Sequence, residues 1–236
     1  HWFSQPHYVR LDGRPLLLNF GPMYFRDPAA WQTAFAGLPE RPYFFGLHHL
    51  WRQAGADGGF TWVHYDPWEG APDQRQILTR IGEVFTYFSS DPRQVLVSAY
   101  PGFNDVYTNE FHHELAYRDG ATLRETLQVA VAGPWPVIQL VTWNDYGEGT
   151  MIEPTHEFGY TFLEIIQEQR RQEGGGSFPY TAADLRLPAR LFALREGGQV
   201  AAGDLDDVAR LLVAGQTDQA RARLDQLTPT PERESP

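Results

Sequence analysis

The chain has 236 residues, of which 42% are hydrophobic and 14% aromatic, and it contains no cysteine. Its length fits one large domain or one domain with an appendage, and the lack of thiols excludes disulfides, thiolate metal ligands and a cysteine nucleophile. A formal net charge of −11 disfavours nucleic acid and anionic membranes as partners. No apolar run reaches the roughly 18 residues that a membrane span needs.

The first two thirds of the chain alternate between strand-like and helix-like segments. The turn pair Asp12-Gly13 separates residues 8–11 from 15–20, which predicts a hairpin leading into a buried strand. Helical spacing with Asp27 as N-cap predicts a helix over 28–38. Further strands are predicted at 42–48, 59–65, 94–100 and 137–142, and further helices at 73–88, 122–131 and 158–171. This order is typical of a parallel sheet with crossover helices.

The last of these strands leads into the most informative loop. Its residues 137–141 are apolar and bounded by Gly and Pro, which predicts a strand buried on both faces. The chain then turns polar and acidic, with Asn144, Asp145, Glu148 and Glu153. Parallel α/β proteins present catalytic groups at the carboxyl ends of their strands in this way.

Other predicted strands also finish in polar or aromatic clusters, which favours a (β/α)-barrel with its site on one rim. These clusters are Asn19, His48 and His49, His64 to Asp66, Tyr100 with Asp105, and Asn144 to Glu148. The five predicted strands are fewer than the eight of a (β/α)8 TIM-type barrel, so either the first strands lie upstream of His1 or the sheet is open. We prefer the barrel that lacks its first strands, because the chain starts within structured-looking sequence without a visible signal peptide.

The predicted domain organisation has four parts. Residues 1–173 form the C-terminal portion of a catalytic barrel, and residues 174–180 form a glycine-rich linker. Residues 181–228 carry Ala, Leu, Arg and Asp at helical spacing, which predicts a small helical appendage without chemistry of its own. Residues 229–236 are polar and predicted to be disordered.

Asp145 and Glu148 are the candidate catalytic pair. Two neighbouring carboxylates, one of them desolvated, can divide into a general acid and a base, as glycosidases use them. On spacing alone, the same residues could be solvated loop carboxylates or could cap a helix beginning near Thr155. Trp143 and Tyr146 flank the pair and favour the catalytic interpretation, because aromatic faces stack against sugars.

Metal and cofactor chemistry find less support in the sequence. His48-His49 and His112-His113 contain potential metal ligands, but adjacent residues of a strand point to opposite faces and no H-E-x-x-H pattern occurs. No G-x-S-x-G elbow, phosphate-binding loop or dinucleotide fingerprint is present. The sequence therefore predicts neither a metal site nor a cofactor.

The segment Thr142-Trp-Asn-Asp-Tyr-Gly-Glu-Gly-Thr-Met-Ile-Glu-Pro-Thr155 resembles the signature of glycoside hydrolase family 71 (α-1,3-glucanases) and of the related family 99 (endo-α-mannosidases and mannanases). Trp-Asn-Asp-Tyr-Gly-Glu is similar to the family 71 form, and Gly-Thr-x-Ile-Glu-Pro is closer to family 99. The chain departs from family 99 at Asp145, where that family normally has Glu. The similarity extends over about residues 7–171 and includes Gly13-Arg14-Pro15, the strand at 59–63 and Pro101-Gly-Phe103.

The resemblance implies a (β/α)8 barrel enzyme that hydrolyses α-linked glycans such as α-1,3-glucan or α-mannan, with a secreted or periplasmic location. It implies Glu148 as general acid and Asp145 as base, an oligosaccharide or polysaccharide as partner, and no cofactor. The expected substrate-binding residues are Trp143, Asn144, Tyr146, Tyr100, Asp105, Trp62, Tyr65, Asp66 and Glu153. A non-catalytic carbohydrate-binding relative is the alternative. Sugar, linkage, stereochemistry, endo or exo action and oligomeric state stay open.

Overall fold

The computed structural model describes residues 2–63, 91–107, 114–174 and 178–228. The chain divides into two compact units, residues 1–153 and 154–236. The predicted helix at 73–88 and the candidate residues His64, Tyr65 and Asp66 lie outside the described residues, as does the pair His112-His113. None of the described helices combines the length and apolar character needed to cross a bilayer.

The first unit contains a curled six-stranded sheet that forms half of a barrel. The described strands are β1 (Arg10–Leu11), β2 (Arg14–Asn19), β3 (Tyr43–Leu47), β4 (Gly58–Phe60), β5 (Val95–Ala99), β6 (Phe103–Asn104), β7 (Glu114–Leu115) and β8 (Ile138–Leu140). The order in the six-stranded sheet is β1-β2-β3-β4-β5-β8; β1 runs antiparallel to β2, and every later pairing is parallel. The α/β class and the parallel sheet are confirmed, whereas closure into a complete (β/α)8 barrel stays a prediction.

Two helices of this unit begin and end close to their predicted positions. Helix α1 spans Pro28–Ala36, and Asp27 caps it by accepting a hydrogen bond from the Ala29 amide at 2.9 Å. Pro28 suits the first turn, because its ring presets φ and the first-turn amides have no helical acceptor. Helix α2 spans Ala121–Val131 and packs against β5, where the Thr126 hydroxyl bridges to the backbone of Tyr100.

Strand β5 is fully buried, whereas its neighbour β8 is partly exposed at the margin of the sheet. All five residues of β5 are buried, as expected for a parallel strand covered on both faces. The prediction that residues 137–141 are buried on both faces is wrong, since residues 137–139 are only half-buried and Leu140 is 39% exposed. The reason is position: among the strands described here, β8 is last in the sheet and pairs only with β5.

The second unit is helical. It contains α3 (Thr161–Glu173), α4 (Leu187–Gly197), α5 (Ala202–Val213) and α6 (Thr217–Leu227). A compact apolar cluster joins α4, α5 and α6, with Leu187, Leu205, Val208 and Leu224 each at most 3% exposed. The division at 153/154 assigns α3 to this unit. The domain boundaries predicted at 174–180 stay a prediction, because residues 175–177 lie outside the described part of the chain.

Candidate functional site

The loop that follows β8 is closed on itself by hydrogen bonds between its two arms. The Thr142 amide donates to the Thr150 carbonyl at 2.8 Å, and the Thr150 amide donates to the Asp145 carbonyl at 3.1 Å. The Thr142 hydroxyl accepts from the Asp145 amide at 3.0 Å and bonds to the Thr150 hydroxyl at 2.9 Å. Thr150 is completely buried. The two acidic residues therefore lie on a tightly held turn.

Residues 147–149 of the same loop are hydrogen-bonded to the segment that follows β5. The Asn104 amide donates to the Glu148 carbonyl at 2.8 Å, and the Val106 amide donates to the Gly147 carbonyl at 3.0 Å. The Tyr117 hydroxyl donates to the Gly149 carbonyl at 2.7 Å. Gly149 has a φ of +65°, a conformation that glycine adopts without strain. Neighbouring strands thus fix the position of the loop.

Glu148 is half-buried and lies against Trp62, which comes from the end of β4. The Trp62 indole N–H donates to Glu148 Oε2 at 3.0 Å. Burial raises the pKa of Glu148, and the nearby carboxylates of Asp145 and Asp105 raise it further, while the hydrogen bond from Trp62 opposes this increase. A raised pKa keeps more of the carboxyl group protonated near neutral pH, which is the requirement for a general acid.

Asp145 makes a different set of contacts from Glu148. Its Oδ1 accepts a hydrogen bond from the backbone amide of Glu148 at 3.0 Å. The side chain of the first acid therefore receives the main-chain donor of the second, and both carboxyl groups belong to one turn. Such a pair offers one desolvated carboxyl group beside another carboxylate.

Exposed aromatic side chains flank this pair as the sequence predicted. Trp143 is 56% exposed and Tyr146 is 54% exposed. The Tyr146 hydroxyl donates to Glu153 Oε1 at 2.8 Å, and that bond raises the pKa of Tyr146. Asn144 is also exposed. All four residues lie on or directly after the loop that carries the two acids.

Two further predicted residues have contrasting positions. Asp105 is buried, accepts a hydrogen bond from the Tyr107 amide at 2.8 Å and acts electrostatically on Glu148. Tyr100 is 1% exposed and belongs to the hydrophobic core with Val97 and Val141. The structure therefore brings Asp105 to the site and gives Tyr100 a packing role. Tyr65 and Asp66 fall outside the described residues.

Two aromatic residues that were not predicted from the sequence contact the site. Tyr107 is 72% exposed and lies against Gly147, where a Cβ would overlap its ring. Phe20 is 56% exposed and packs edge-on against Trp62, with ring centroids 4.8 Å apart. Phe20 directly follows β2 and precedes Gly21-Pro22, so its place at a strand end was the signal that could have identified it.

The residues described by the structure do not bring three or more His, Asp or Glu side chains together in an arrangement that could hold a metal ion. His48 and His49 follow β3 and their rings contact each other edge-on, with centroids 4.8 Å apart. Burial lowers the pKa of His49, with a smaller contribution in the same direction from Arg26.

Solved structures share the fold of this chain at low sequence identity. A GH99 endo-α-mannosidase from Bacteroides thetaiotaomicron, in complex with Bis-Tris-propane, matches with a TM-score of 0.51 and 18% identity over 72% of this chain and 62% of its own. A second structure with the same enzyme name matches with a TM-score of 0.51 and 17% identity, over 72% and 59%. A glycoside hydrolase-like protein matches with a TM-score of 0.51 and 18% identity, over 69% and 55%.

The chain shares its fold with GH99 endo-α-mannosidase. At this level of identity, the comparison concerns the fold alone, and the chain spans about three fifths of the length of the structures it matches. No family model matches the sequence, and no curated protein does. The similarity to family 71 that the loop suggested stays a prediction.

Proposed function

We propose that this chain is part of a glycoside hydrolase that cleaves α-linked glycans of the mannan or glucan type. The observation that carries the proposal is the state of Glu148: a half-buried carboxyl group with a raised pKa, bonded to Trp62 and on the same turn as a second carboxyl group. The shared fold with a structure named as an endo-α-mannosidase agrees with this chemistry. The motif between Thr142 and Thr155 adds an independent argument.

In the proposed reaction, the Glu148 carboxyl group donates its proton to the glycosidic oxygen as the bond from the anomeric carbon to that oxygen breaks. Asp145 accepts a proton from water, whose oxygen bonds to the anomeric carbon, or acts through a hydroxyl group of the sugar. Glu148 becomes a carboxylate in this step, and the Trp62 N–H is placed to stabilise the negative charge that develops on Oε2. Asp145 Oδ1 is already held by the Glu148 amide, so Oδ2 is the oxygen assigned to proton transfer.

Sugar recognition is assigned to the side chains around the two acids. Trp143 and Tyr146 present exposed rings for stacking against the apolar faces of sugars, and Asn144 and Glu153 offer hydrogen-bonding groups for hydroxyls. Binding sites often combine aromatic walls with a few placed polar groups in this way. Tyr107 is added to the residues proposed from sequence, because it covers Gly147 beside the acids.

The test is the Glu148→Gln variant, assayed for reducing ends released from α-mannan and α-1,3-glucan. Removing a general acid typically lowers a rate by about 10²- to 10⁴-fold, and we expect a loss of this size. Glu40→Gln is the matched control, because Glu40 forms a surface ion pair with Arg10 and the substitution makes the same chemical change. Equal hydrolysis by wild type and Glu148→Gln would exclude the assignment.

One observation favours a second candidate, a carbohydrate-binding protein without turnover. Asp145 Oδ1 accepts the Glu148 amide, which is the bond that a carboxylate makes when it stabilises a turn. In this case the aromatic residues would bind glycan while Asp145 has a structural role. Saturable binding of α-mannan by the wild-type protein, without any release of reducing ends on long incubation, would favour this second function over hydrolysis.

A further inference from the structure

The loop between β2 and α1 exposes an unusual amount of apolar side chain. Phe20 is 56% exposed, Met23 44%, Tyr24 99% and Phe25 52%. Four exposed apolar side chains within six residues favour a place where the protein binds a ligand, because folding gains nothing from leaving aromatic rings in water. We call residues 20–25 the β2 loop.

The β2 loop is continuous with the candidate site. The ring of Phe20 packs edge-to-face on Trp62, at 4.8 Å and an interplanar angle of 76°. Trp62 in turn donates its indole N–H to Glu148. Strands β2 and β8 belong to the same parallel sheet, so their carboxyl ends lie at the same edge. A row of contacts therefore leads from the acid along this edge to the exposed loop.

The backbone of the β2 loop is held in place although its side chains are exposed. The Gly21 carbonyl accepts from the Leu47 amide at 2.7 Å, and the Met23 carbonyl accepts from the Arg26 guanidinium at 2.8 Å. The Phe25 carbonyl accepts from the Trp31 indole N–H at 2.7 Å. An ordered backbone lowers the entropy that a ligand must overcome when it binds.

We propose that Phe20 and Tyr24 form a second glycan-binding platform, which holds sugar units beyond those at Asp145 and Glu148. The identity of the ligand as a glycan rests on the proposed function. The composition of the patch supports this occupant: it presents three aromatic rings and one Met, and aromatic faces stack against the apolar faces of sugar rings. The net charge of −11 opposes an anionic membrane surface at the same place. The platform favours chains long enough to reach from the acids to Tyr24.

The experiment measures the binding of short and long α-mannan oligosaccharides to Glu148→Gln protein, in which turnover is expected to be about 10²- to 10⁴-fold slower. Tyr24→Ala is the main variant, because a side chain that is 99% exposed contributes almost nothing to packing. Phe20→Leu is the second, since it keeps apolar volume beside Trp62 while removing the aromatic face. Phe192→Ala is the matched control, an exposed aromatic residue in the helical unit.

We expect each platform variant to bind the long oligosaccharide about 2- to 10-fold more weakly, the range typical of a single aromatic contact. Binding of a disaccharide should be unchanged in Tyr24→Ala, and Phe192→Ala should match the parent for both lengths. When a platform substitution is made in the enzyme that retains Glu148, its KM should rise for long substrates only. Equal affinity of Tyr24→Ala, Phe20→Leu and parent for the long chain overturns the platform while leaving hydrolysis intact. Absence of binding at both lengths, with no hydrolysis by wild type, overturns the proposed function and the platform together.

Discussion

Replacing Trp62 by Phe tests whether the hydrogen bond to Glu148 contributes to catalysis. The variant keeps an aromatic ring beside Phe20 and removes the N–H that lies 3.0 Å from Glu148 Oε2. A hydrogen bond to a charged group contributes about 1.5–3 kcal/mol. Because Glu148 is only half-buried, water compensates part of the loss, and we expect about 1–2 kcal/mol. In the proposed mechanism, this stabilisation grows as Glu148 becomes a carboxylate, so kcat should fall about 5- to 30-fold.

The same substitution should move the pH dependence in a defined direction. The bond from Trp62 lowers the pKa of Glu148, against the effects of burial and of the neighbouring carboxylates. Its removal raises the pKa, so Glu148 stays protonated to higher pH and the alkaline limb of kcat/KM moves up. The assay is the pH–rate profile of reducing-end release for wild type and Trp62→Phe.

The control is Trp135→Phe, which also removes an indole N–H. Trp135 precedes β8, so it lies at the other end of that strand from the loop that carries Glu148. It should retain the wild-type kcat and pH profile. If Trp62→Phe shows an unchanged kcat together with an unmoved or downward-shifted alkaline limb, the role assigned to this hydrogen bond is refuted. A lower rate in both variants would instead indicate a general loss of folded protein, which a thermal unfolding scan measures directly.

Glu148→Gln should be as stable as wild type or up to about 1 kcal/mol more stable at neutral pH, because a pKa raised on folding means that the carboxylate destabilises the folded state. Its advantage should shrink as pH falls through the raised pKa towards the ordinary value of 4.5, as urea unfolding at several pH values will show. Gly149→Ala should lower the free energy of unfolding by about 1–3 kcal/mol, and by more than Gly13→Ala does. Both glycines have a positive φ, but a Cβ at position 149 would lie 2.5 Å from the Tyr117 hydroxyl, whereas one at position 13 would meet nothing within 4 Å. Equal losses of unfolding free energy in the two variants would show that the effect comes from backbone strain and not from the contact with Tyr117. Asp57→Asn should lower the free energy of unfolding by about 1–3 kcal/mol, because the half-buried carboxylate receives two arginines and one backbone amide; thermal unfolding within error of wild type would contradict this.

The structure confirms those sequence predictions that depend on neighbouring residues. The turn at Asp12-Gly13, the cap at Asp27 and the spans of β3 and β5 follow from local backbone preferences and short-range hydrogen bonds. The burial of β8 was misjudged because it depends on which elements cover the strand. An apolar run has the same composition at the middle and at the margin of a sheet, so its exposure cannot be derived from the run itself.

The sequence by itself determined the α/β class, the parallel sheet and the presence of two acids on one glycine-containing turn after a strand. Only the tertiary structure decided that Trp62, 86 residues away along the chain, is the donor to Glu148. It also decided that Phe20 is exposed while Tyr100 is buried. The physical reason is the sequence separation of the interacting residues. Turns and caps are stabilised by residues a few positions apart, whereas the environment of a carboxyl group depends on side chains that distant strands bring to the same edge of the sheet.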